Sequence, residues 1–221
     1  LSGIAFAPFC FLLPVLLLNE KYVLWLGDRY LRIQLFLLRV VCGVRCEVEG
    51  QGNLPDGPCL IASWHESAWE TLFYHLLLDQ PAMFAKREVF SYPLVGLIAR
   101  KAGHIPVDRQ GSLDSMREGF RAGSEAVARG RKLLIFPGGT RQLGAPRRIQ
   151  SGVGVLYGLA GVAAVPVKVH SGGCWPAGSL LKYPGIIKVE ILPPIPAGLD
   201  RRSFLEELGK ALAENPDDLK H

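Results

Sequence analysis

The chain has 221 residues, 49% of them hydrophobic, and carries a formal net charge of +5. This length suits one large domain or a domain with a small appendage, and the high apolar share excludes a disordered chain. The positive charge suits a protein at an anionic surface or one that handles phosphorylated ligands, whereas nucleic acid is disfavoured because the sequence has no basic stretch interleaved with aromatic residues.

The N-terminal part of the chain is predicted to associate with a membrane. Residues 1–18 are almost wholly apolar, but a spanning helix needs about 20 apolar residues and this segment contains two prolines. We therefore expect a half-inserted hairpin, and a signal peptide fits poorly because no basic region precedes the segment. Residues 22–44 predict an interfacial amphipathic helix, with a core-facing helix as the alternative. Residues 1–45 are thus assigned to membrane-associated helices and residues 46–221 to an α/β domain.

Beyond position 47, short apolar runs alternate with helical stretches, and no repeat is visible. This order predicts an α/β fold with a mostly parallel central sheet flanked by helices. Strands are predicted at 46–49, 58–62, 82–86, 104–107, 132–136, 163–169 and 186–192, and helices at 68–78, 93–102, 113–129, 153–159 and 202–213.

The five cysteines are odd in number and scattered through apolar sequence. This pattern predicts reduced thiols in the core and a cytosolic redox environment, and it disfavours both disulfides and zinc. The cysteines are Cys10, Cys42, Cys46, Cys59 and Cys174.

The stretch from Ser63 to Glu70 contains the strongest candidate for chemistry. If Ser67 is the N-cap of a helix that follows the strand, His65 lies in the turn and Glu70 at the third helical position. Glu70 can then accept a hydrogen bond from one imidazole nitrogen and leave the other as a base. The alternative is structural, since Ser67-x-x-Glu70 is also a capping box, which explains Glu70 but not the histidine. These residues alone leave both readings open.

A glycine turn, Pro137-Gly-Gly-Thr-Arg141, follows the predicted strand at 132–136. Backbone N–H groups at such a strand end can hold an anion, and Arg141 can add a bidentate phosphate contact. The alternative is a tight turn with a solvated arginine.

Two further predicted strands end in basic residues, Lys86 and Arg109. Three cationic strand ends predict a phosphate-binding edge, although Asp108 and Arg109 could instead form a surface ion pair. A serine-hydrolase elbow and a P-loop are absent. His75 and His170 have no partners at ligand spacing and are interpreted as structural, and no metal site is predicted.

Together, His65-x-x-x-x-Glu70, residues 103–109, residues 136–141 and Val165-Pro-Val167 resemble the four ordered motifs of the glycerolipid acyltransferase family, which includes 1-acylglycerol-3-phosphate acyltransferase. The resemblance spans roughly residues 47–199. It implies an enzyme that moves a fatty acyl group from an acyl-CoA or acyl-carrier-protein thioester to the free hydroxyl of a lysophospholipid, 1-acylglycerol-3-phosphate. The product is phosphatidic acid, and no cofactor is implied. It also implies docking at the membrane lipid surface, on the cytoplasmic face of the inner membrane.

The resemblance also implies individual roles. His65 would be the general base, and Glu70 would orient it in place of the family's more usual aspartate. Arg109 and Arg141 would hold the acceptor phosphate. The supporting substrate-binding residues would be Lys86, Gly138, Gly139 and Thr140.

One position departs from the family pattern. The third motif normally reads Phe-Pro-Glu-Gly-Thr-Arg, and this chain has Gly138 where the glutamate belongs. Loss of that carboxylate removes hydrogen-bond acceptors from the polar pocket. Two alternatives to phosphatidic acid synthesis therefore stay open, a lipid-binding relative with little catalysis and an acyltransferase with a different lysolipid acceptor.

Overall fold

The computed structural model describes residues 19–108, 113–139, 141 and 148–213. Its strands form one seven-stranded sheet in which each predicted strand overlaps an observed one. In chain order they are β1 (Val44–Glu49), β2 (Leu60–Ser63), β3 (Ala82–Lys86), β4 (Ile105–Val107), β5 (Leu133–Ile135), β6 (Ala164–His170) and β7 (Gly185–Ile191).

The sheet order is β1-β7-β6-β2-β5-β3-β4, and neighbouring strands run parallel except for β6 and β7. The prediction of a mostly parallel sheet is confirmed. Because β6, β2, β5, β3 and β4 run the same way, their carboxyl ends lie at one edge of the sheet. All four residues of β2 are buried, as expected for a strand near the centre of such a sheet.

Helices flank this sheet in two packed groups. The first contains α1, α2 and α4, and the second contains α5, α6 and α7. The short α3 was not predicted, because five residues are too few to display a helical period. The helices are α1 (Glu20–Cys42), α2 (Trp69–Leu77), α3 (Arg87–Ser91), α4 (Pro93–Lys101), α5 (Leu113–Ala128), α6 (Gly152–Ala160) and α7 (Arg201–Leu212).

Helix α1 carries a stripe of exposed apolar side chains. Asn19 caps its start by accepting from the Lys21 N–H, and Gly43, at φ 69°, ends it. One side of α1 packs against α2 and α4, so the other side remains exposed. No helix within the described ranges is long and apolar enough to cross a bilayer. The predicted hairpin at residues 1–18 lies outside the described residues, and the division of the chain at residue 45 stays a prediction. The exposed stripe consists of Tyr22, Trp25, Ile33, Phe36, Leu37, Val40 and Val41.

The four described cysteines carry free thiols, and two of them, Cys59 and Cys174, are buried. The prediction of a core position is wrong for Cys46, which is exposed. The reason is that β1 is an edge strand, on which several side chains remain exposed.

Arg131 ties together the segments that lead into β3 and β4. Its Nη2 donates to the carbonyl oxygens of Gln80 and Ala102 at 2.7 Å each, and its Nη1 donates to that of Gly103 at 3.4 Å. Gln80 has a φ of 58°, a left-handed conformation that a non-glycine residue rarely adopts. The guanidinium therefore satisfies three carbonyl groups at the amino end of the sheet and holds His104 next to them.

We predict that Arg131→Met lowers the free energy of unfolding by about 3 kcal/mol, because hydrogen bonds from a charged donor are lost and part-buried carbonyls lose their partner. Arg129→Met is the matched control. Arg129 is exposed and pairs with Glu125 at 3.5 Å, so its loss is expected to cost less than about 0.5 kcal/mol. Urea denaturation of both variants measures the difference, and equal losses would contradict the assigned role of Arg131.

Candidate active site

The turn between β2 and α2 is built as a capping box. The Oγ of Ser67 accepts the Trp69 N–H at 3.0 Å, and the Glu70 carboxylate accepts the Ser67 N–H at 3.0 and 3.1 Å. These reciprocal bonds satisfy free backbone donors at the helix start. The structural reading of Ser67-x-x-Glu70 is therefore correct.

The same carboxylate also contacts the histidine. Oε2 of Glu70 lies 3.3 Å from Nδ1 of His65. Glu70 has no solvent exposure, and the His65 side chain is 10% exposed. The helix therefore begins between the two residues, as the sequence predicts, and capping and orientation of the imidazole are performed by one side chain.

Additional donors surround the Glu70 carboxylate. The Glu66 N–H donates to Oε1 at 3.2 Å, and the hydroxyl of Ser171 donates to the same oxygen. Ser171 directly follows β6, so this bond links the ends of two neighbouring strands. A buried anion at a helix start is further stabilised by the helix dipole and by charge-assisted hydrogen bonds.

Glu66 provides a second link to the end of β6. Its Oε2 accepts the N–H groups of Ser171 and Gly172, each at 2.8 Å. Neither Glu66 nor Ser171 was assigned to the site from the sequence. No local signal could have identified Ser171, because it lies 101 residues beyond Glu70 along the chain.

The ring of His65 is fixed on its other sides as well. It stacks on Phe136, with ring centroids 4.0 Å apart and planes 16° apart. Nε of Arg141 donates to Nε2 of His65 at 3.4 Å. Because arginine can only donate, Nε2 must be the acceptor, and the proton of the neutral imidazole then lies on Nδ1, facing Glu70. The nitrogen that can act as a base therefore faces the exposed Arg141.

The other predicted substrate-binding residues lie at the end of β3 or in the segments that follow β4 and β5. Lys86 is the exposed last residue of β3, at the same edge of the sheet as His65. Gly138 is buried, and Gly139, at φ 71°, closes a turn by donating its N–H to Phe136 O at 2.8 Å. Arg109 and Thr140 lie outside the described residues, so their placement stays a prediction.

Two cavities meet near Phe136. The first, the α1–α2 cavity, has a volume of about 350 Å³. Its lining is mostly apolar and includes Val23, Leu26, Met83 and Ile98, and it reaches Phe136 and Arg141. Such a space suits a flexible hydrocarbon chain.

The second cavity, the Gly138 cavity, has a volume of about 440 Å³. Asp108, Gly138, Gly139 and Gln150 line it together with Phe136. Because Gly138 has no side chain, the missing motif glutamate leaves space on this side of Phe136. Polar atoms form a larger share of its wall than in the α1–α2 cavity, so it suits a ligand with a polar group better than the first cavity does.

Two histidines line the α1–α2 cavity, and neither was assigned a role by the sequence. The rings of His75 and His104 meet edge to face, with centroids 6.0 Å apart. Burial is the main cause that lowers the pKa of His75, and burial, His75 and Arg131 together lower the pKa of His104 to about 3. Both rings are therefore neutral at physiological pH. Within the described part of the chain, no group of three or more potential ligands could hold a metal ion.

Comparison with known proteins gives matches over most of the chain. A family model described as Acyltransferase matches residues 45–170. A 1-acyl-sn-glycerol-3-phosphate acyltransferase of Pseudomonas aeruginosa is 33% identical over 201 residues, covering 90% of this chain and 78% of the relative. A lyso-ornithine lipid O-acyltransferase of the same organism is also 33% identical, over 80% of this chain and 75% of its own.

A solved structure has the same fold. It is the crystal structure of the 1-acyl-sn-glycerophosphate (LPA) acyltransferase PlsC from Thermotoga maritima, with a TM-score of 0.69 and 22% sequence identity. The match covers 94% of this chain and 87% of that one.

Proposed function

This chain belongs to the Acyltransferase family, and we propose that it transfers a fatty acyl group from a thioester to the free hydroxyl of 1-acylglycerol-3-phosphate, giving phosphatidic acid. The observation that carries the proposal is the oriented imidazole of His65. It contacts buried Glu70 through Nδ1 and faces the Arg141 cation through Nε2. The 33% identity to the 1-acyl-sn-glycerol-3-phosphate acyltransferase of Pseudomonas aeruginosa supports this choice of reaction.

The reaction needs one base and no acyl-enzyme. Nε2 of His65 takes the proton of the acceptor hydroxyl while that oxygen attacks the thioester carbonyl. The C–S bond breaks as the new ester C–O bond is completed, and the departing sulfur takes the proton from Nε2. Glu70 stabilises the imidazolium that exists between the two proton transfers. Since a thioester is already reactive, positioning the two substrates supplies much of the rate.

Arg141 would bind the acceptor phosphate. Its Nε donates to Nε2 of His65 at 3.4 Å. A phosphate offers the guanidinium two stronger, charge-assisted bonds, and their formation would release Nε2 to act as the base. Lys86, Arg109 and the turn of Gly138, Gly139 and Thr140 would support the same phosphate, as the family resemblance implies.

The donor would place its acyl chain in the α1–α2 cavity. This space is mostly apolar and reaches Phe136, which stacks on the catalytic ring. A thioester carbonyl near His65 could therefore be continuous with a buried hydrocarbon chain. Either acyl-CoA or acyl-carrier protein can supply such a chain, both are acidic, and the net charge of the protein suits both. No cofactor takes part in this mechanism.

We further propose that the protein docks on the cytoplasmic face of the inner membrane. The docking face consists of the exposed stripe of α1 together with the exposed Leu180, Leu181 and Tyr183. These two parts are neighbours, because Gly185 N–H donates to Gly43 O at 3.2 Å, just after α1 ends. The amino group of Lys182 donates to the carbonyls of Leu180 and Leu181, which bends the loop so that both leucines face outward. Exposed arginines on α1, such as Arg39, would attract anionic lipids.

A second candidate function changes only the acceptor. The Gly138 cavity has room beside Phe136, and the lyso-ornithine lipid O-acyltransferase is as similar in identity as the first relative. A larger headgroup could use this space. Assays with several lysolipids competing for one donor would rank the acceptors.

We predict that His65→Gln lowers kcat/KM for acyl transfer to lysophosphatidic acid at least about 100-fold, because general-base catalysis contributes 10²–10⁴-fold. Glutamine keeps a donor for Glu70, so the fold should survive. His170→Gln, which changes an exposed imidazole on β6, is the control and should retain full turnover. A radiolabelled acyl-transfer assay with purified protein measures the turnover of both variants. Unchanged turnover of His65→Gln would contradict the proposal.

We predict that Gly138→Glu changes turnover of lysophosphatidic acid by less than about tenfold or lowers it, because the present site is already complete and the new carboxylate fills part of the Gly138 cavity. Gly173→Glu, at an exposed loop position, is the matched control for added charge. A large rise from near zero would instead identify the wild-type protein as a lipid-binding relative with little catalysis.

We predict that the double variant Val41→Glu/Leu181→Glu binds anionic phospholipid vesicles at least about tenfold more weakly. Each change replaces an apolar side chain of the docking face, which membrane binding would bury, by a charged one. Val155→Glu/Leu159→Glu is the matched control, since these exposed apolar residues lie on α6. Co-sedimentation measures both, and equal losses in the two variants would argue against a defined docking face.

A further inference from the structure

His75 and His104 place polar atoms in a cavity that is otherwise mostly apolar. Both rings line the α1–α2 cavity, and His75 is only 7% exposed. Thr71 lines the same cavity four residues before His75 on α2, which corresponds to about 6 Å along the helix axis. Since α2 begins just after His65, His75 lies about two helical turns from the start of α2 near the catalytic ring.

The positions of His104 and His65 along the sheet also place the imidazole of His104 far from the catalytic ring. His104 directly precedes β4, at the amino end of that strand, whereas His65 lies beyond the carboxyl end of β2. These ends lie on opposite edges of the parallel sheet. A chain that enters near His65 and follows the cavity therefore reaches the imidazoles with its distal part.

One imidazole nitrogen at this depth lacks the hydrogen bond that a buried polar atom usually has. Nδ1 of His104 is buried with no hydrogen-bond partner, a situation not found for any other side-chain nitrogen or oxygen in the described ranges. The ring of His75 packs edge to face against the ring that carries this atom. An unpaired buried polar group costs about 1–3 kcal/mol, so a native structure rarely retains one without a reason.

The surroundings keep these rings in place and neutral. Arg131 holds the carbonyls of Ala102 and Gly103, immediately before His104, and His104 N–H donates to Ala99 O at 2.9 Å. Burial and the nearby Arg131 lower the pKa of His104 to about 3. A neutral imidazole has one donor and one acceptor nitrogen. Each ring can therefore donate a hydrogen bond to an uncharged ligand group and accept one from it.

We propose that His75 and His104 form a polar subsite within the acyl cavity that selects fatty acyl chains carrying an oxygen substituent, a hydroxyl or keto group, on their distal part. The proposal rests on the proposed function, because it assigns the α1–α2 cavity to the acyl donor. A hydroxyl can donate to one imidazole and accept from the other. A plain hydrocarbon at the same depth would leave Nδ1 of His104 without a partner.

Two simpler explanations make different predictions. If ordered water pairs with the imidazoles, a plain chain can leave that water in place, and a substituted chain gains nothing. If the rings only fill space, replacing their nitrogens by carbon leaves chain preference unchanged. Donor preference and its response to substitution therefore separate the three cases.

The test is a series of acyl-CoA donors of one chain length, unsubstituted or carrying a hydroxyl at successive carbons, with lysophosphatidic acid as acceptor. We expect one hydroxyl position to give a kcat/KM at least about tenfold above that of the unsubstituted chain, because a hydrogen bond to an otherwise unpaired buried group contributes about that factor. If no hydroxyl position exceeds the unsubstituted chain, the proposal is overturned and the water explanation is favoured.

The variants His104→Phe and His75→Phe remove the ring nitrogens and keep an aromatic side chain. Each should bring the hydroxylated-to-unsubstituted ratio to within about twofold of unity, whereas His104→Gln, which keeps a polar amide, should retain part of the preference. His170→Phe is the control and should keep the wild-type ratio. A preference that survives both phenylalanine variants would also overturn the proposal. If one of them fails to fold, the other decides.

Binding measurements separate this proposal from the proposed function. If no donor is turned over, the proposed function fails, and equilibrium dialysis of radiolabelled hydroxylated and unsubstituted acyl-CoA still reports the preference of the cavity. Tighter binding of one hydroxylated donor to wild type than to His104→Phe supports the subsite. Equal binding overturns it.

Discussion

The buried carboxylate of Glu70 is the interaction on which the site depends. A carboxylate without solvent is stable only if hydrogen-bond donors replace its water, and here they come from the turn, from His65 and from Ser171. Because these donors must converge on one carboxylate, the start of α2, the end of β6 and the imidazole are fixed relative to one another. Glu66, buried beside it, adds two bonds to the same β6 segment. The ring is thus oriented by the requirements of folding as much as by those of chemistry.

A parallel sheet turns this local arrangement into a site. The turn after β2, Phe136 after β5 and Ser171 after β6 are far apart in sequence, but the strands they follow are neighbours and run the same way. His65 is consequently held from the β6 side through Glu70 and from the β5 side by stacking on Phe136. Arg141 reaches the remaining nitrogen from the segment after β5. An imidazole and a guanidinium come together because the topology places them at one edge.

Features encoded in local sequence were predictable, and features that depend on distant partners were not. Apolar runs and turn residues located all seven strands, and the spacing of His65 and Glu70 indicated their contact before the fold was known. Capping and orientation looked like alternatives in the sequence, because a pattern cannot show that one carboxylate has enough lone pairs for both tasks. Ser171 carries no local signal, and His104 was overlooked because its burial and its neighbour His75 are products of tertiary packing. Exposure at Cys46 follows from the position of β1 at the sheet edge, which an apolar run does not reveal.

Phe136 connects the two halves of the proposed chemistry. It lines both the α1–α2 cavity and the Gly138 cavity, and its ring stacks on His65. Direct transfer without an acyl-enzyme requires the thioester carbonyl and the acceptor hydroxyl to reach one imidazole together. A base stacked on the ring that lines both cavities meets that requirement, because each substrate can approach from its own side. The glycine at position 138 then widens the acceptor side without touching the base, so acceptor choice can change while His65 and Glu70 stay as they are.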